Sequence, residues 1–307
     1  MHMADALISP AVGGTMWVAS AAAIACCSRK VREEMDDRKI PLMGVLGAFI
    51  FAAQMINFTI PVTGSSGHLG GGLILSVLLG PYAAFLTIAS VLVVQALFFA
   101  DGGLLALGCN IFNLGFIPAF IAYPLIYKKI VADSPTSTRI TLASMLAAVI
   151  GLQLGSSGVV VETVLSGISS FPFATFLAVM QPIHLAIGVV EGVVTASVIS
   201  FVNKAKPEIL QSTMGTRLTG IYPIRNIALG FLAAAILTGG VLSWFASEHP
   251  DGLEWSIAKV TGQKELKGSE DGIHGTMATL QKKLSFLPDY SFKKQAEARP
   301  AETDSPI

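Results

Sequence analysis

The stretch from Tyr82 to Phe99 reads YAAFLTIASVLVVQALFF and contains no charged side chain. Its length is close to the ~20 residues that an α-helix needs to cross a bilayer. Comparable apolar runs lie at 10–28, 41–58, 104–127, 139–154, 173–202 and 226–245, and an eighth segment, short and glycine-rich, lies at 69–79. The chain is 52% hydrophobic and only 13% charged, unlike a typical soluble domain. The sequence therefore predicts an all-α, polytopic integral membrane bundle of about seven to eight transmembrane helices.

Lysine and arginine are distributed unevenly between these runs, and their distribution predicts the orientation. Segments 29–39, 128–139 and 203–225 carry five, three and four positive residues, whereas segments 1–9, 59–70, 100–103 and 155–172 carry none. Loops that are rich in lysine and arginine stay in the cytoplasm. If the 69–79 segment crosses the membrane, the N-terminus, the 59–70 loop and the C-terminal tail are expected outside the cytoplasm.

The chain opens Met1-His2-Met3-Ala4-Asp5, with histidine in second place. No positive region or cleavage site marks a signal peptide, so Met1 is expected to remain as the terminus. Its amine, the backbone nitrogen of His2 and the imidazole Nδ1 of His2 close two fused rings around one ion and occupy three corners of a square. Square-planar nitrogen sites favour Ni(II) and Cu(II). A fourth donor must come from elsewhere, and the alternative interpretation of His2 is a disordered start without function.

The loop from Asn57 to Gly72, NFTIPVTGSSGHLGGG, is predicted to face the same side as Met1. Its proline and glycines let the backbone turn tightly and approach other segments. The loop contains His68, whose imidazole brings the number of available nitrogens to four, although a lone loop histidine is more often solvated. No Lys-Ser or Lys-Thr follows the glycines, so they form no phosphate loop and the chain carries no ATPase of its own.

Four motifs are shared with a known family: His2-Met3-Ala4-Asp5-Ala6-Leu7-Ile8-Ser9-Pro10, Gly64-Ser65-Ser66-Gly67-His68, Asp101-Gly102-Gly103, and Asn110 to Asn113. From residue 1 to about 202 the chain resembles the CbiM/NikM family, the substrate-binding membrane components of energy-coupling factor transporters for cobalt and nickel. The resemblance implies that Met1, His2 and His68 hold a nickel or cobalt ion in a four-nitrogen plane. It also implies uptake across a prokaryotic inner membrane with a separate transmembrane coupling subunit and a pair of cytoplasmic ATPases.

A second resemblance lies downstream, where Pro250-Asp251-Gly252-Leu253-Glu254 is similar to the extracytoplasmic PDGLE-type extension of this family. We therefore expect a metal-binding membrane domain at 1–202, followed at 203–307 by a linker, one further transmembrane helix and that extension. Nothing from 246 to 307 is apolar enough to cross the membrane again. The polar tail is expected to be partly ordered, and four of its residues are expected to be solvated surface rather than a second metal site: His249, Glu270, Asp271 and His274.

Other polar residues are candidates for supporting roles. His184 and Glu191 lie seven residues apart on one face of the 173–202 span, where ionisable groups are costly and often functional. They allow a proton relay, although hydrogen-bonded pairing that locks the bundle is the more common outcome. Four residues are candidates for orienting the metal ligands, with helix capping as the alternative: Asp5, Asn57, Asn110 and Asn113.

The sequence thus favours a substrate-capture subunit of an ATP-driven importer for nickel or cobalt, which is not an enzyme. A proton-coupled secondary metal transporter that uses His184 and Glu191 is one alternative, and a non-transporting metal sensor is another. An intramembrane hydrolase is disfavoured because the chain has no His-Glu-x-x-His or Gly-x-Ser-x-Gly motif. The choice between nickel and cobalt is not encoded in these patterns.

Overall fold

The computed structural model describes residues 2–34, 39–132, 134–168, 171–214, 225–263, 266, 268 and 271–290. The elements in chain order are α1 (Pro10–Glu33), α2 (Lys39–Gln54), β1 (Phe58–Ile60), β2 (Ser65–Gly67), α3 (Gly72–Leu79), α4 (Pro81–Phe99), α5 (Leu107–Val131), α6 (Ser137–Ser166), α7 (Phe173–Ala205), α8 (Pro207–Met214), α9 (Arg225–Gly240), α10 (Gly252–Thr261) and α11 (Gly272–Leu284). Short 3-10 turns lie at Asp5–Leu7, Leu242–Phe245 and Pro288–Tyr290.

Within the described residues, five helices are long and apolar enough to cross a bilayer: α1, α4, α5, α6 and α7. Two shorter apolar helices, α2 and α9, accompany them. The prediction of a helical multi-pass membrane protein is confirmed. The short glycine-rich segment is α3, and every residue of α3 is buried. Neighbouring helices therefore separate this segment from lipid. The irregular, glycine-rich backbone that leads into α3 requires such burial within the membrane.

One predicted helix boundary is wrong. The sequence predicts that the fifth span ends near residue 154, but α6 continues to Ser166, so most of the expected 155–172 loop is helical. Small residues in this part of α6 serve close packing rather than a turn. Ser156 is buried, and a side chain at Gly158 would collide with Asn113 of α5.

The expectation of an entirely helical chain also needs a correction in the 57–72 loop. β1 and β2 pair antiparallel there, with Thr59 opposite Ser66. The strands have three residues each, too few for a recognisable alternation of apolar and polar side chains. The hairpin holds Gly67, and with it the following His68, at the end of the bundle.

α6 and α7 form the most extensive helix pair in the described structure. A Cβ at Gly188 of α7 would lie 3.0 Å from the Cα of Val149, and one at Gly192 would lie 2.9 Å from the Cα of Met145. These distances leave no room for a larger residue, so the two glycines allow the backbones to approach closely. This closely packed pair of helices lies against α3.

α10 and α11 cover the end of the bundle that carries the hairpin, whereas α9 lies alongside α2. α9 packs against α2, α10 against α7, and α11 against the end of α4. The N–H of Ser66 donates to the carbonyl of Pro250 at 2.8 Å, and His274 Nε2 lies 2.9 Å from the carbonyl of Ile8. His274 is therefore not the solvated residue that the sequence predicts. His249 and Asp271 are exposed as predicted, and Glu270 lies outside the described residues.

Candidate metal centre

The N-terminal segment around Met3 is held by hydrogen bonds against the start of α5. The side-chain oxygen of Asn110 in α5 accepts a hydrogen bond from the Met3 N–H at 2.8 Å, and the side-chain nitrogen of Asn110 donates to the Met3 carbonyl at 3.2 Å. The N–H of Gly103 donates to the same carbonyl at 2.9 Å. The Met3 side chain is fully buried. The position of His2 therefore follows from the fixed backbone of the residue after it.

Asp5 fastens the same segment a little further along the chain. Its Oδ1 accepts a hydrogen bond from the N–H of Ala106, immediately before α5, at 3.0 Å. Burial raises the pKa of Asp5, while hydrogen bonds from backbone amides, that of Ala106 first, act in the opposite direction. A side chain at Gly103 would collide with Asp5, and a Cβ at Gly102, where φ is +82°, would lie 3.3 Å from the Cβ of His2. The two glycines let the N-terminal segment lie directly against this loop.

His2 is nearly buried, with 6% of its side chain exposed, and it faces Asp101. Its Nδ1 lies 2.8 Å from Asp101 Oδ1, and the hydroxyl of Tyr290 donates to Asp101 Oδ2 at 2.6 Å. Burial alone would raise the pKa of Asp101. The charge of His2 and the hydrogen bonds from His2 and Tyr290 outweigh burial and hold that pKa below its usual range. Asp101 is therefore an ionised acceptor for an N–H of His2.

His68 stacks on His2, with ring centroids 4.9 Å apart and ring planes inclined by 11°. The structure thus brings together two histidines from distant parts of the sequence. Nδ1 of His68 lies 3.1 Å from the carbonyl of Leu69, which only accepts, so Nδ1 carries the proton and Nε2 carries the lone pair. Burial lowers the pKa of His68 to about 3, and the charge of His2 acts in the same direction. His68 is consequently neutral at pH 7, the form that binds metal ions.

The structure describes only some of the nitrogen donors that the sequence predicts. Two imidazoles and the backbone nitrogen of His2 lie together, whereas Met1 lies outside the described residues. His2 Nδ1 faces Asp101, and His2 Nε2 is buried without a hydrogen-bond partner among the described residues. Metal binding through Nδ1 therefore requires the ring to turn about its Cβ–Cγ bond or Asp101 to move. Among the described residues, no three His, Cys, Asp or Glu side chains form a metal-binding group.

Asn57 and Asn113 have partners in other parts of the structure. The Asn113 side chain donates to Glu162 of α6 at 2.7 Å, inside the bundle. The main-chain carbonyl of Asn57 accepts a hydrogen bond from the N–H of Ser247 at 2.7 Å, while its side-chain oxygen is buried without a partner among the described residues. These contacts join α5 to α6 and the hairpin loop to the C-terminal segment, whereas Asp5 and Asn110 support the N-terminal segment directly.

His184 and Glu191 also have separate partners. The Glu191 carboxylate accepts hydrogen bonds from the N–H groups of Gly70 at 2.9 Å and Gly71 at 3.1 Å, at the start of α3. N–H groups at a helix N-terminus have no partner within the helix, and together with the helix dipole they stabilise an anion there. His184 Nδ1 lies 2.8 Å from the carbonyl of Met180 in its own helix. Glu191 therefore fixes the backbone that immediately follows His68.

Sequence reasoning missed Asp101, Asp251 and Tyr290 as residues of this region. Asp251 caps α10, because its Oδ1 accepts hydrogen bonds from the N–H groups of Leu253 and Glu254 at 2.8 Å each. It also lines a small cavity beside His68 and His184. Asp101 stands within the Asp-Gly-Gly motif and Asp251 within the PDGLE motif, and these motifs were the sequence features that could have identified the two residues. Nothing in the sequence around Tyr290 singled it out.

The chain is similar to known transition-metal transport proteins over most of its length. Residues 2–209 match the family CbiM, described as the cobalt uptake substrate-specific transmembrane region, and residues 225–305 match the PDGLE domain. A putative metal transport protein of Haloquadratum walsbyi is 34% identical over 68% of this chain and 93% of its own length. The fused nickel transport protein NikMN of Rhodobacter capsulatus is 27% identical over 95% of this chain and 88% of its own. The crystal structure of a transition metal transporter superposes with a TM-score of 0.61 at 28% identity, covering 72% of this chain and all of that one.

Replacing Asn110 with alanine should release the N-terminal segment without unfolding the bundle. The change removes two hydrogen bonds to Met3, each worth about 1 kcal/mol, so amides of residues 2–9 should exchange with deuterium roughly tenfold faster or more. Hydrogen exchange read by mass spectrometry measures this. Asn203→Ala, which removes a hydrogen bond to Pro135 near the end of α7, is the matched control. Unchanged exchange in residues 2–9 of the Asn110 variant would contradict the anchoring role.

Proposed function

The chain belongs to the CbiM family and carries a PDGLE domain behind the CbiM region, and from this we propose that it is the substrate-capture subunit of an energy-coupling factor importer for nickel or cobalt. It is a multi-pass membrane protein of a metal transport family. In the proposal the ion is bound as substrate at the outer face, and ATP hydrolysis by partner subunits drives its import.

The stacked pair of His2 and His68 is the observation that supports this function best. His68 is buried and only 6% of the His2 side chain is exposed, both at one end of the bundle, and Nε2 of His68 carries a lone pair. In the proposal, the backbone nitrogen of His2 and the amine of Met1 supply two further donors. Together these groups form the four-nitrogen plane that Ni(II) prefers. Co(II) can also be accommodated by these donors, so the proposal covers both metals.

The orientation and domain division follow from where the positive residues lie. Lys30 and Arg32 stand in the last turn of α1, at the opposite end of that helix from His2. We propose that this end is cytoplasmic and that the N-terminus, the hairpin and α10 and α11 lie outside. The proposed topology has seven to eight crossings, with a metal-binding domain at 1–202 and an extension at 203–307.

The partners are inferred from what the sequence lacks. The chain contains no phosphate-binding loop, so it has no means of its own to couple ATP hydrolysis to transport. We therefore propose a transmembrane coupling subunit and a pair of cytoplasmic ATPases as partners, and no enzymatic activity in this chain.

A secondary transporter would need a titratable relay through the membrane at His184 and Glu191. Glu191 instead accepts two hydrogen bonds from the backbone of Gly70 and Gly71, and His184 bonds to the carbonyl of Met180. These contacts give both residues structural roles. No observation favours a sensor over a transport subunit.

Replacing His68 with alanine should weaken nickel binding severely while leaving the bundle folded. The change removes one of four donors, so the Kd for nickel should rise by roughly a hundredfold or more, beyond the 10–100-fold typical for loss of an outer-shell partner. Calorimetry on the purified protein measures the Kd. His249→Ala, at an exposed histidine, is the control. Tight binding with an unchanged visible absorption band in the His68 variant would rule out a site shared between the two segments.

Vesicles should reveal whether transport depends on partner subunits. This chain alone should bind nickel without ATP but should not accumulate it, because it has no energy-coupling machinery. Accumulation should appear only when the coupling subunit and ATPases are reconstituted with it and ATP is supplied. Sustained uptake by the chain alone that a protonophore abolishes would support the secondary transporter instead.

A further inference from the structure

We propose that Tyr290, in the C-terminal segment, is a positioning residue of the metal centre that acts on His2 through Asp101. This inference rests on the proposed function, since it concerns how the same site is completed. The hydroxyl of Tyr290 donates to Asp101 Oδ2 at 2.6 Å, and Asp101 Oδ1 lies 2.8 Å from His2 Nδ1. Both oxygens of the carboxylate are thus engaged, one on each side.

Tyr290 is held firmly in this position. Its ring stacks on Phe99 with centroids 4.8 Å apart and lies edge-on to Phe51 at 6.2 Å. Its φ is +57°, a left-handed conformation that a tyrosine adopts only where the surroundings impose it. The N–H of Leu287 donates to the carbonyl of Phe98 at 3.2 Å, which fastens the preceding residues to the end of α4.

The same C-terminal segment also holds the backbone of the loop that carries Asp101. The side-chain nitrogen of Gln281 in α11 donates to the carbonyl of Ala96 at 2.9 Å and to that of Gly102 at 2.7 Å. The backbone on both sides of Asp101, at Ala96 and Gly102, and the Asp101 side chain are therefore held by residues of the C-terminal segment. The extension contributes to the site itself, beyond covering it.

A second set of hydrogen bonds connects Tyr290 to the His68 side of the site. The side-chain nitrogen of Gln95 lies 3.4 Å from the Tyr290 hydroxyl and 2.9 Å from Gln54 Oε1. Gln54 in turn donates to the carbonyl of Gly70 at 2.8 Å. Tyr290 thus stands between the two segments that supply the imidazoles.

This arrangement matters because metal-binding histidines usually donate their other ring N–H to a carboxylate, which orients the ring and makes it a stronger ligand. A half-turn of the His2 ring about Cβ–Cγ moves Nδ1 away from Asp101 and carries Nε2 to the Asp101 side. Nε2, which is buried without a partner among the described residues, then gains Asp101 as its acceptor. A carboxylate held in place by Tyr290 serves the ring in both positions.

Nickel titration of Tyr290→Phe tests the proposal, because this variant keeps the stacked ring and removes only the hydroxyl. Its Kd for nickel should rise about tenfold, at the lower end of the effect of losing an outer-shell partner, and Asp101→Asn should have a larger effect. The visible absorption band of bound nickel should shift to longer wavelength in both variants, since His2 becomes a weaker ligand. The double variant should bind no more weakly than Asp101→Asn alone, because Tyr290 acts through Asp101.

Tyr123→Phe is the matched control, since it removes the hydroxyl of a different tyrosine, which is buried and donates to the carbonyl of Thr213 at 3.2 Å. Its nickel affinity should equal that of the natural protein. The proposal is overturned if Tyr290→Phe binds nickel within twofold of the natural protein, if its effect adds fully to that of Asp101→Asn, or if Tyr123→Phe weakens binding equally. Absence of nickel binding in the natural protein would instead refute the proposed function.

Discussion

The hydrogen bonds that hold the Met3 backbone against Asn110 and Gly103 are the constraint on which the rest of the site depends. A chain terminus is ordinarily mobile unless it is tied down. Here the tie is made through main-chain groups, so it fixes the position of His2 without using the His2 side chain.

A second constraint acts on the opposite side of the site. The hairpin and the carboxylate of Glu191 fix the backbone around His68, and a hydrogen bond to Leu69 selects its tautomer. Each imidazole is positioned by its own set of contacts, and the rings meet only by stacking. In the proposed function, capture of an ion through His2 Nδ1 requires the His2 ring to turn or Asp101 to move.

The sequence predicted the apolar helices well, because membrane spans are defined by length and hydrophobicity. It failed at Gly155 to Gly158, where small residues that favour close helix contacts look like a turn. In the site, His2 and His68 were predictable from the chemistry of their nitrogens. The roles of Asp101 and Tyr290 were not predicted, although Asp101 stands in the Asp-Gly-Gly motif, because they depend on contacts between the end of α4, the loop that follows it and a C-terminal segment with little apolar signal. Polar docking of this kind leaves no periodic pattern in a sequence.

Electron paramagnetic resonance of the Cu(II)-loaded protein tests most directly whether the terminus and His68 form one site. Copper should occupy the same donors by the usual order of affinities, and its hyperfine structure reports the number of bound nitrogens. The natural protein should show four equatorial nitrogens, and His68→Ala should show three. Acetylation of the N-terminal amine should abolish the signal of the site. A four-nitrogen spectrum that persists unchanged in either the His68 variant or the acetylated protein would contradict the account.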